Sequence, residues 1–423
     1  MQINLAYGKE GLAIDFPDAW DIQVVEPEFH APLPHLDEAL AEALEHPIGT
    51  PPLRDLVHPA DRVGIIVNDM TRATPNPILL KAIFKQLDFI PPEQFRLLIA
   101  LGTHRRMTPA ELDAMLGAEF TARYPIVQND AFDPSTQVSL GKTAQGHEIW
   151  LNRELMECDV KILTGFIEPH FFAGFSGAGK AIMPGMAGLE TILDNHCAAN
   201  ISHPNATWGQ TWGNPIWEEV RDVARKANAS FLLNVTLNRD KGITGIFAGD
   251  LDQAHARGVE FVRKTAMVAV DRPFDIVVGT NSGYPLDLNL YQAVKGMSAA
   301  SQIVRKDGVI LLAAACWDGI PDHGHFRELL EGAAGPADLM ERVLQPGFKM
   351  QDQWEAQVQA QILQKARVYL YTDHLSDPQI RSALLEPCHD ILETIQQLMP
   401  EFDGHPRICV LPEGPQTIPF LRG

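Results

Sequence analysis

Asp159-Val-Lys-Ile-Leu-Thr-Gly-Phe-Ile-Glu-Pro-His-Phe-Phe-Ala-Gly-Phe-Ser-Gly-Ala-Gly-Lys-Ala-Ile-Met-Pro-Gly185 begins as a strand and ends as a loop suited to a ligand. Its first residues, through Leu163, form a short apolar run of the kind that is covered on both faces in a parallel sheet. Ala173, Gly174, Ser176, Gly177, Ala178 and Gly179 then let backbone approach a bulky group. His170 and Lys180 flank these small residues, and His196 follows sixteen positions after the lysine. Core packing alone asks for no such mixture, so the stretch reads as a cofactor site.

Seven further runs share the character of the 160s strand: Arg62–Val67, Phe95–Leu101, Phe231–Val235, Asp275–Val278, Gly308–Leu312, Ala366–Leu370 and Ile408–Leu411. They alternate with helix-length segments. That order predicts an α/β protein of mainly parallel sheets flanked by helices. Arg272-Pro-Phe-Asp275 precedes a fresh strand and marks a domain entry, giving an N-terminal cofactor-binding domain over 1–270 and a C-terminal domain over 271–423.

Gly174-Phe-Ser-Gly-Ala-Gly-Lys180 also fits the phosphate-loop template as far as its lysine. The next residue is Ala181, where that template needs a Ser or Thr hydroxyl for Mg²⁺. A phosphate loop also follows directly on its strand, whereas here Glu168-Pro169-His170 intervenes. An NTPase-type nucleotide-binding protein therefore stands as the lesser alternative.

The chain has 423 residues, 45% of them hydrophobic and 21% charged, enough for two or three ordinary domains. Its net charge of −20 and the lack of any basic block argue against nucleic acid or anionic membrane as a partner. An anionic substrate must then be held by a few local cations. The N-terminus carries neither a basic start nor an apolar stretch, and no long apolar run exists, so a cytoplasmic location is expected. Five scattered cysteines without a Cys-x-x-Cys pair suit a reducing compartment.

In open parallel sheets, ligands bind beyond the carboxyl ends of strands. Asn68-Asp69-Met-Thr71-Arg72 follows one strand and Gly102-Thr-His104-Arg105 another. The His170–Lys180 loop follows a third, and Asn281 leads on to Tyr291-Gln292-Ala-Val-Lys295 after a fourth. These loops are expected to converge on one crevice between the domains. Bland readings stand beside each of them. Thr108 before Pro109-Ala-Glu111 is a helix N-cap. Asp69 and Thr71 either cap a helix or take part in chemistry. Arg72 could pair structurally with a carboxylate, and His104 could be a satisfied loop histidine. Gln292 and Lys295 share a helical face, which alone reads as solvated surface.

Taken together, Asp69-x-x-Arg72, Gly102-Thr-His104-Arg, Glu168-Pro-His170-x-x-Ala-Gly-x-Ser-Gly-x-x-Lys180, His196 and Gln292-x-x-Lys295 resemble the nickel-dependent lactate racemase family, in order and over essentially the whole chain. The resemblance implies a two-domain α/β enzyme with its active site in the interdomain cleft. It also implies a nickel pincer nucleotide as cofactor, a pyridinium-3-thioamide-5-thiocarboxylic acid mononucleotide holding Ni²⁺ and supplied by cofactor-synthesis proteins. On that likeness Lys180 forms the covalent thioamide link and His196 is the nickel ligand. Asp69, Arg72 and Gly177 contact the nucleotide or reacting centre, and His104 and His170 are the paired acid and base. Gln292, Lys295 and Arg72, with Tyr291 and Trp354, receive the substrate. The implied reaction inverts C2 of a 2-hydroxy acid by hydride transfer, with lactate the default substrate and malate, aromatic or sugar acids the alternatives. One departure is Ala178, where a second glycine is expected directly after Gly177.

Overall fold

The computed structural model describes residues 1–322 and 324–422. The chain forms two compact units, one of Phe29–His196 with Pro204–Lys264, the other of Met1–Glu28 with Cys197–His203 and Thr265–Gly423.

The first unit is built on a six-stranded sheet of β1 (Val63–Asn68), β2 (Phe95–Ala100), β3 (Ile126–Gln128), β4 (Val160–Phe166), β5 (Phe231–Leu237) and β6 (Ile243–Gly249). Its spatial order is β6-β5-β4-β1-β2-β3, parallel except for the β5–β6 pair. Every residue of β4 is buried, as its apolar run requires. Val63, Ile65 and Val67 of β1 share a core with Leu79, Leu80 and Ile83 of helix α1 (Asn76–Gln86). Each such side chain contributes about 1.5–3 kcal/mol on burial. The chain goes from β1 to β2 and β3 on one side, then returns to β4 and β5 on the other, so the strand order reverses between β1 and β4. Such a reversal opens a crevice at the carboxyl ends of the two strands.

Helix α2 (Pro109–Leu116) starts as the sequence predicts. The Thr108 hydroxyl accepts the Glu111 N–H at 3.3 Å, and the Glu111 carboxylate accepts the Thr108 N–H at 2.7 Å. Helices α3 (Leu189–Asn195), α4 (Pro215–Lys226) and α5 (Leu251–Ala266) complete the unit. The Asn214 side chain caps α4 by accepting the Ile216 and Trp217 N–H groups at 3.0 and 3.4 Å.

The second unit holds β7 (Phe274–Thr280), β8 (Val304–Ala313), β9 (Ala366–Tyr371), β10 (Glu386–Cys388) and β11 (Arg407–Leu411) in the order β10-β9-β8-β7-β11. All their pairings are parallel. Helices α6 (Leu290–Ser301) and α7 (Gln353–Lys365) belong to the same unit. The eight apolar runs of the sequence are thus all strands. The first 28 residues cluster with this unit, as does the chain from Thr265 onward. Asp21–Val24 is the sixth strand of this second sheet, with Ile22 opposite Ile408 and Val24 opposite Val410. Ile3, Leu5, Ile14 and Phe16 join its core with Ile276 and Val278. The pairing binds the first 28 residues to the C-terminal sheet. Asp21-Ile-Gln-Val24 is short and alternates in polarity, so it carries little signal of its own.

Among the described residues no helix is long and apolar enough to cross a membrane. All five cysteines are free thiols.

Candidate active site

The loops after β1, β2 and β4 lie at the strand-order reversal. Asp69 is 4% exposed and caps no helix, since α1 begins only after Pro75. Its carboxylate accepts hydrogen bonds from Nδ1 of His104 at 2.6 Å and from the Thr71 hydroxyl at 2.7 Å. Burial pushes the Asp69 carboxyl upward. The charges of His104 and Arg72 and these hydrogen bonds overcome that push and hold it at about 2. Arg72 in turn donates to Thr71 Oγ1 at 3.1 Å. A buried, ionised aspartate therefore fixes the tautomer of a half-exposed histidine and leaves its Nε2 as the basic nitrogen.

The Gly-rich loop is stapled by Ser176. Its hydroxyl accepts the Glu168 N–H at 2.9 Å and donates to the Phe166 carbonyl at 3.0 Å. Nδ1 of His170 accepts the Ala173 N–H at 3.3 Å, which orients that ring. Gly177 and Ala178 both take left-handed backbone, at φ 85° and 47°. For Ala178 this costs on the order of 1–2 kcal/mol. Oδ1 of Asn234, from mid-β5, accepts the Ala178 N–H at 2.8 Å and offsets that cost. A Cβ on Gly177 would collide with the same oxygen, so glycine is required there. The alanine that departs from the family pattern thus sits in left-handed backbone held by a side chain.

The phenyl ring of Phe172 gathers the remaining predicted residues. His170 lies 4.6 Å and His196 5.1 Å from it between ring centroids, and the Lys180 ammonium is 5.7 Å above it. His196 ends α3 and is buried. Burial, then the nearby Lys180 charge, push its imidazole down to about 3, so it is neutral with a lone pair suited to a metal. The loop after β2 packs on the far end of this segment, through the Gly102 N–H to the Gly185 carbonyl at 2.9 Å.

Residues that drew no attention in the sequence support the cluster. Glu219 on α4 is buried and accepts from the Thr143 hydroxyl at 2.5 Å, Nδ1 of His147 at 2.8 Å and the Asn195 amide at 2.8 Å. Asn195 immediately precedes His196. His255 on α5 is buried, with Nε2 2.9 Å from the Ser176 carbonyl. Asn234 had a legible signal, as a polar residue inside an apolar strand. Glu219 and His255 lie on amphipathic helices and had none.

In the second unit, α6 starts at Asn289, whose side chain accepts the Gln292 N–H at 3.1 Å. Lys295 Nζ donates to Gln292 Oε1 at 2.7 Å, and Trp354 Nε1 of α7 donates to the Tyr291 hydroxyl at 3.0 Å. Gln292 and Trp354 are buried, so this face is not the solvated surface that spacing alone suggests. A cation in the first turns of a helix is a setting for a carboxylate. The structure therefore gathers Asp69, Arg72 and His104, then His170, Lys180 and His196, and separately Tyr291, Gln292, Lys295 and Trp354.

The phosphate-loop alternative fails structurally. A two-residue hairpin pair, Pro169–His170 with Gly174–Phe175, separates β4 from the lysine, and only a 3₁₀ turn over Ala178–Ala181 follows. The helix whose N-terminus would bind phosphate is absent there.

A family model for the lactate racemase N-terminal domain matches residues 7–209, and one for the lactate racemase C-terminal domain matches 269–418. A lactate racemase of Thermoanaerobacterium thermosaccharolyticum is 36% identical over 424 residues, covering 98% of each chain. One of Lactiplantibacillus plantarum is 34% identical over 381 residues, covering 89% of each. The solved lactate racemase apoprotein of T. thermosaccharolyticum matches with a TM-score of 0.92 at 35% identity, over 100% of both chains. A Thermotoga maritima protein shares the fold, with a TM-score of 0.68 at 19% identity. With relatives this similar over nearly its full length, the chain belongs to the lactate racemase family.

Proposed function

We propose that this protein racemises a 2-hydroxy acid, lactate first, using the nickel pincer nucleotide that its family resemblance implies. The observation that carries the reading is the opposite setting of two histidines in loops at the carboxyl ends of the first sheet. Nδ1 of His104 donates to Asp69, so Nε2 of His104 holds a lone pair. Nδ1 of His170 accepts a backbone N–H, so the neutral ring holds its proton on Nε2. At Nε2, which faces away from each Nδ1 partner, His104 is thus a proton acceptor and the neutral His170 a hydrogen-bond donor. Racemisation needs both, because the two enantiomers present their hydroxyl groups in different positions.

The residues present fit the cofactor. Lys180 supplies an amine, His196 a buried neutral imidazole, and the left-handed Gly177–Ala178 turn a close backbone approach. Bound there, the nucleotide supplies an electrophilic acceptor for the C2 hydrogen with its electron pair. Asp69 keeps His104 oriented and stabilises the imidazolium that forms when Nε2 takes the hydroxyl proton. When its ring is protonated, His170 gives a proton to the carbonyl oxygen of the 2-oxo acid as C2 is reduced and returns to neutral, and the two histidines reset their protons by exchange with solvent. Lys295 and Gln292 receive the substrate carboxylate, which answers how a chain of net charge −20 recruits an anion.

The test is turnover of 2-deuterated lactate by the cofactor-loaded protein, followed by chiral chromatography and mass spectrometry. Inversion with deuterium kept at C2 is expected. Washout of deuterium into solvent would indicate proton abstraction and sink the mechanism.

A further inference from the structure

The two peptide groups that flank Gly177 are each held by a buried side chain. On one side Asn234 Oδ1 accepts the Ala178 N–H at 2.8 Å. On the other, Nε2 of His255 lies 2.9 Å from the Ser176 carbonyl. A carbonyl oxygen only accepts, so Nε2 of His255 carries a proton. Burial pushes the imidazole below its ordinary 6.5, which keeps the ring neutral. The ring stacks on Trp217 of α4, with centroids 6.2 Å apart and 20° between planes.

Gly258 lets α5 come close enough for this bond. It is three residues after His255, on the same helical face. A Cβ there would stand 2.2 Å from Cδ1 of Ile167, the residue directly after β4. A Cβ on Gly177 would stand 3.1 Å from Cγ1 of the same Ile167. Helix and loop thus close on one side chain, each through a glycine. Glycine weakens a helix interior, so close approach is the reason for it at 258. From Gly177 the path to the lysine is short. The Gly177 carbonyl accepts the Lys180 N–H at 3.2 Å and opens the 3₁₀ turn over Ala178–Ala181. Rotating the peptide groups around Gly177 would therefore swing the base of Lys180.

We propose that His255 is a positioning residue for Lys180, holding the Ser176 carbonyl so that the Gly-rich loop presents the lysine amine to the nucleotide. It acts through the loop, without touching the ligand. The proposal rests on the reading above, in which Lys180 meets that nucleotide. An apolar side chain would fill the same buried space without desolvating a polar ring, but it would take this donor away from the Ser176 carbonyl.

The test separates the hydrogen bond from the packing. His255→Gln keeps a donor close to the position of Nε2 and gives up the ring. His255→Phe keeps a ring against Trp217 and gives up the donor. Melting temperatures check folding, and His255→Met replaces the Phe variant if that one does not fold. Wild type and variants, as apoproteins, are compared by backbone amide exchange in the peptide that covers Gly177–Lys180. They are then titrated with purified nickel-loaded pyridinium mononucleotide, followed by its absorbance. The Phe variant should exchange faster in the loop and bind at least about fivefold more weakly, the order of one lost hydrogen bond. The Gln variant should bind more tightly than the Phe variant, within about twofold of wild type. A Phe variant that loses less than about fivefold, or a Gln variant no tighter than the Phe variant, overturns the proposal. Lys180→Ala serves as the control. If it binds like wild type, the functional reading fails. If it weakens while His255→Phe does not, only the role of His255 fails.

Discussion

Asp69 Oδ2 and His104 Nδ1 lie 2.6 Å apart, although the two residues are 35 positions apart in the chain. The aspartate is buried and the histidine half-exposed, so the fixed charge sits inside and the basic nitrogen outside. This polarity follows from the neighbouring parallel strands β1 and β2, whose carboxyl ends deliver the two loops side by side.

Replacing Asp69 with Asn tests the pairing. The amide can no longer serve as an anionic acceptor for Nδ1–H, so the ring is free to settle in the wrong tautomer. Racemisation should fall by about 10²-fold or more in both directions, within the usual range for a lost general base. Normal rates by chiral chromatography, in a folded variant, would show that Asp69 plays no part in setting His104.

His104→Ala and His170→Ala should each damage both directions by about 10²–10⁴-fold, since every turnover uses one histidine as base and the other as acid. The product ratio at equilibrium stays one-to-one for lactate. A half-reaction can survive, so traces of 2-oxo acid from one enantiomer are expected with each variant. If either folded variant racemised lactate at near wild-type rates, the assignment of paired roles would be wrong.

His196→Ala should lose most of its nickel on dialysis, measured by elemental analysis, because losing one ligand of a few is severe. Lys180 should show a mass increase matching a tethered pyridinium nucleotide when the protein comes from a host that makes the cofactor. A fully active holoenzyme with unmodified Lys180 would leave the lysine a purely electrostatic role.

Acid should destabilise the apoprotein in two stages. Burial pushes the His255 imidazolium below its ordinary 6.5, only partly countered by the Ser176 carbonyl and Asp252. The unfolded chain then takes up a proton that the folded chain refuses, and stability is lost as pH falls below about 6.5. His196, held at about 3, steepens the same limb. Asp69 is held at about 2 against an ordinary 3.8, so its contribution is lost later, as pH falls from about 4 to about 2. Melting temperatures across pH should decline along this course, and His255→Gln should flatten the first limb. An unchanged slope in that variant would remove His255 as a cause.

The sequence by itself determined the layers of this protein. Eight apolar runs became eight strands because strands covered on both faces need continuous apolar sequence, and Thr108-Pro-Ala-Glu111 capped its helix through contacts that span only four residues. The Gly-rich loop was equally legible, since its backbone leaves no room for larger side chains. Tertiary structure alone decided which polar groups meet. The strand order placed Asp69 beside His104, and the loop folded so that Phe172 touches His170, Lys180 and His196. It also set Asn234 under Ala178 and paired Asp21–Val24 with Arg407–Leu411. Periodicity reports which face of an element is buried, but long-range pairing depends on strand order and register, which no local pattern encodes.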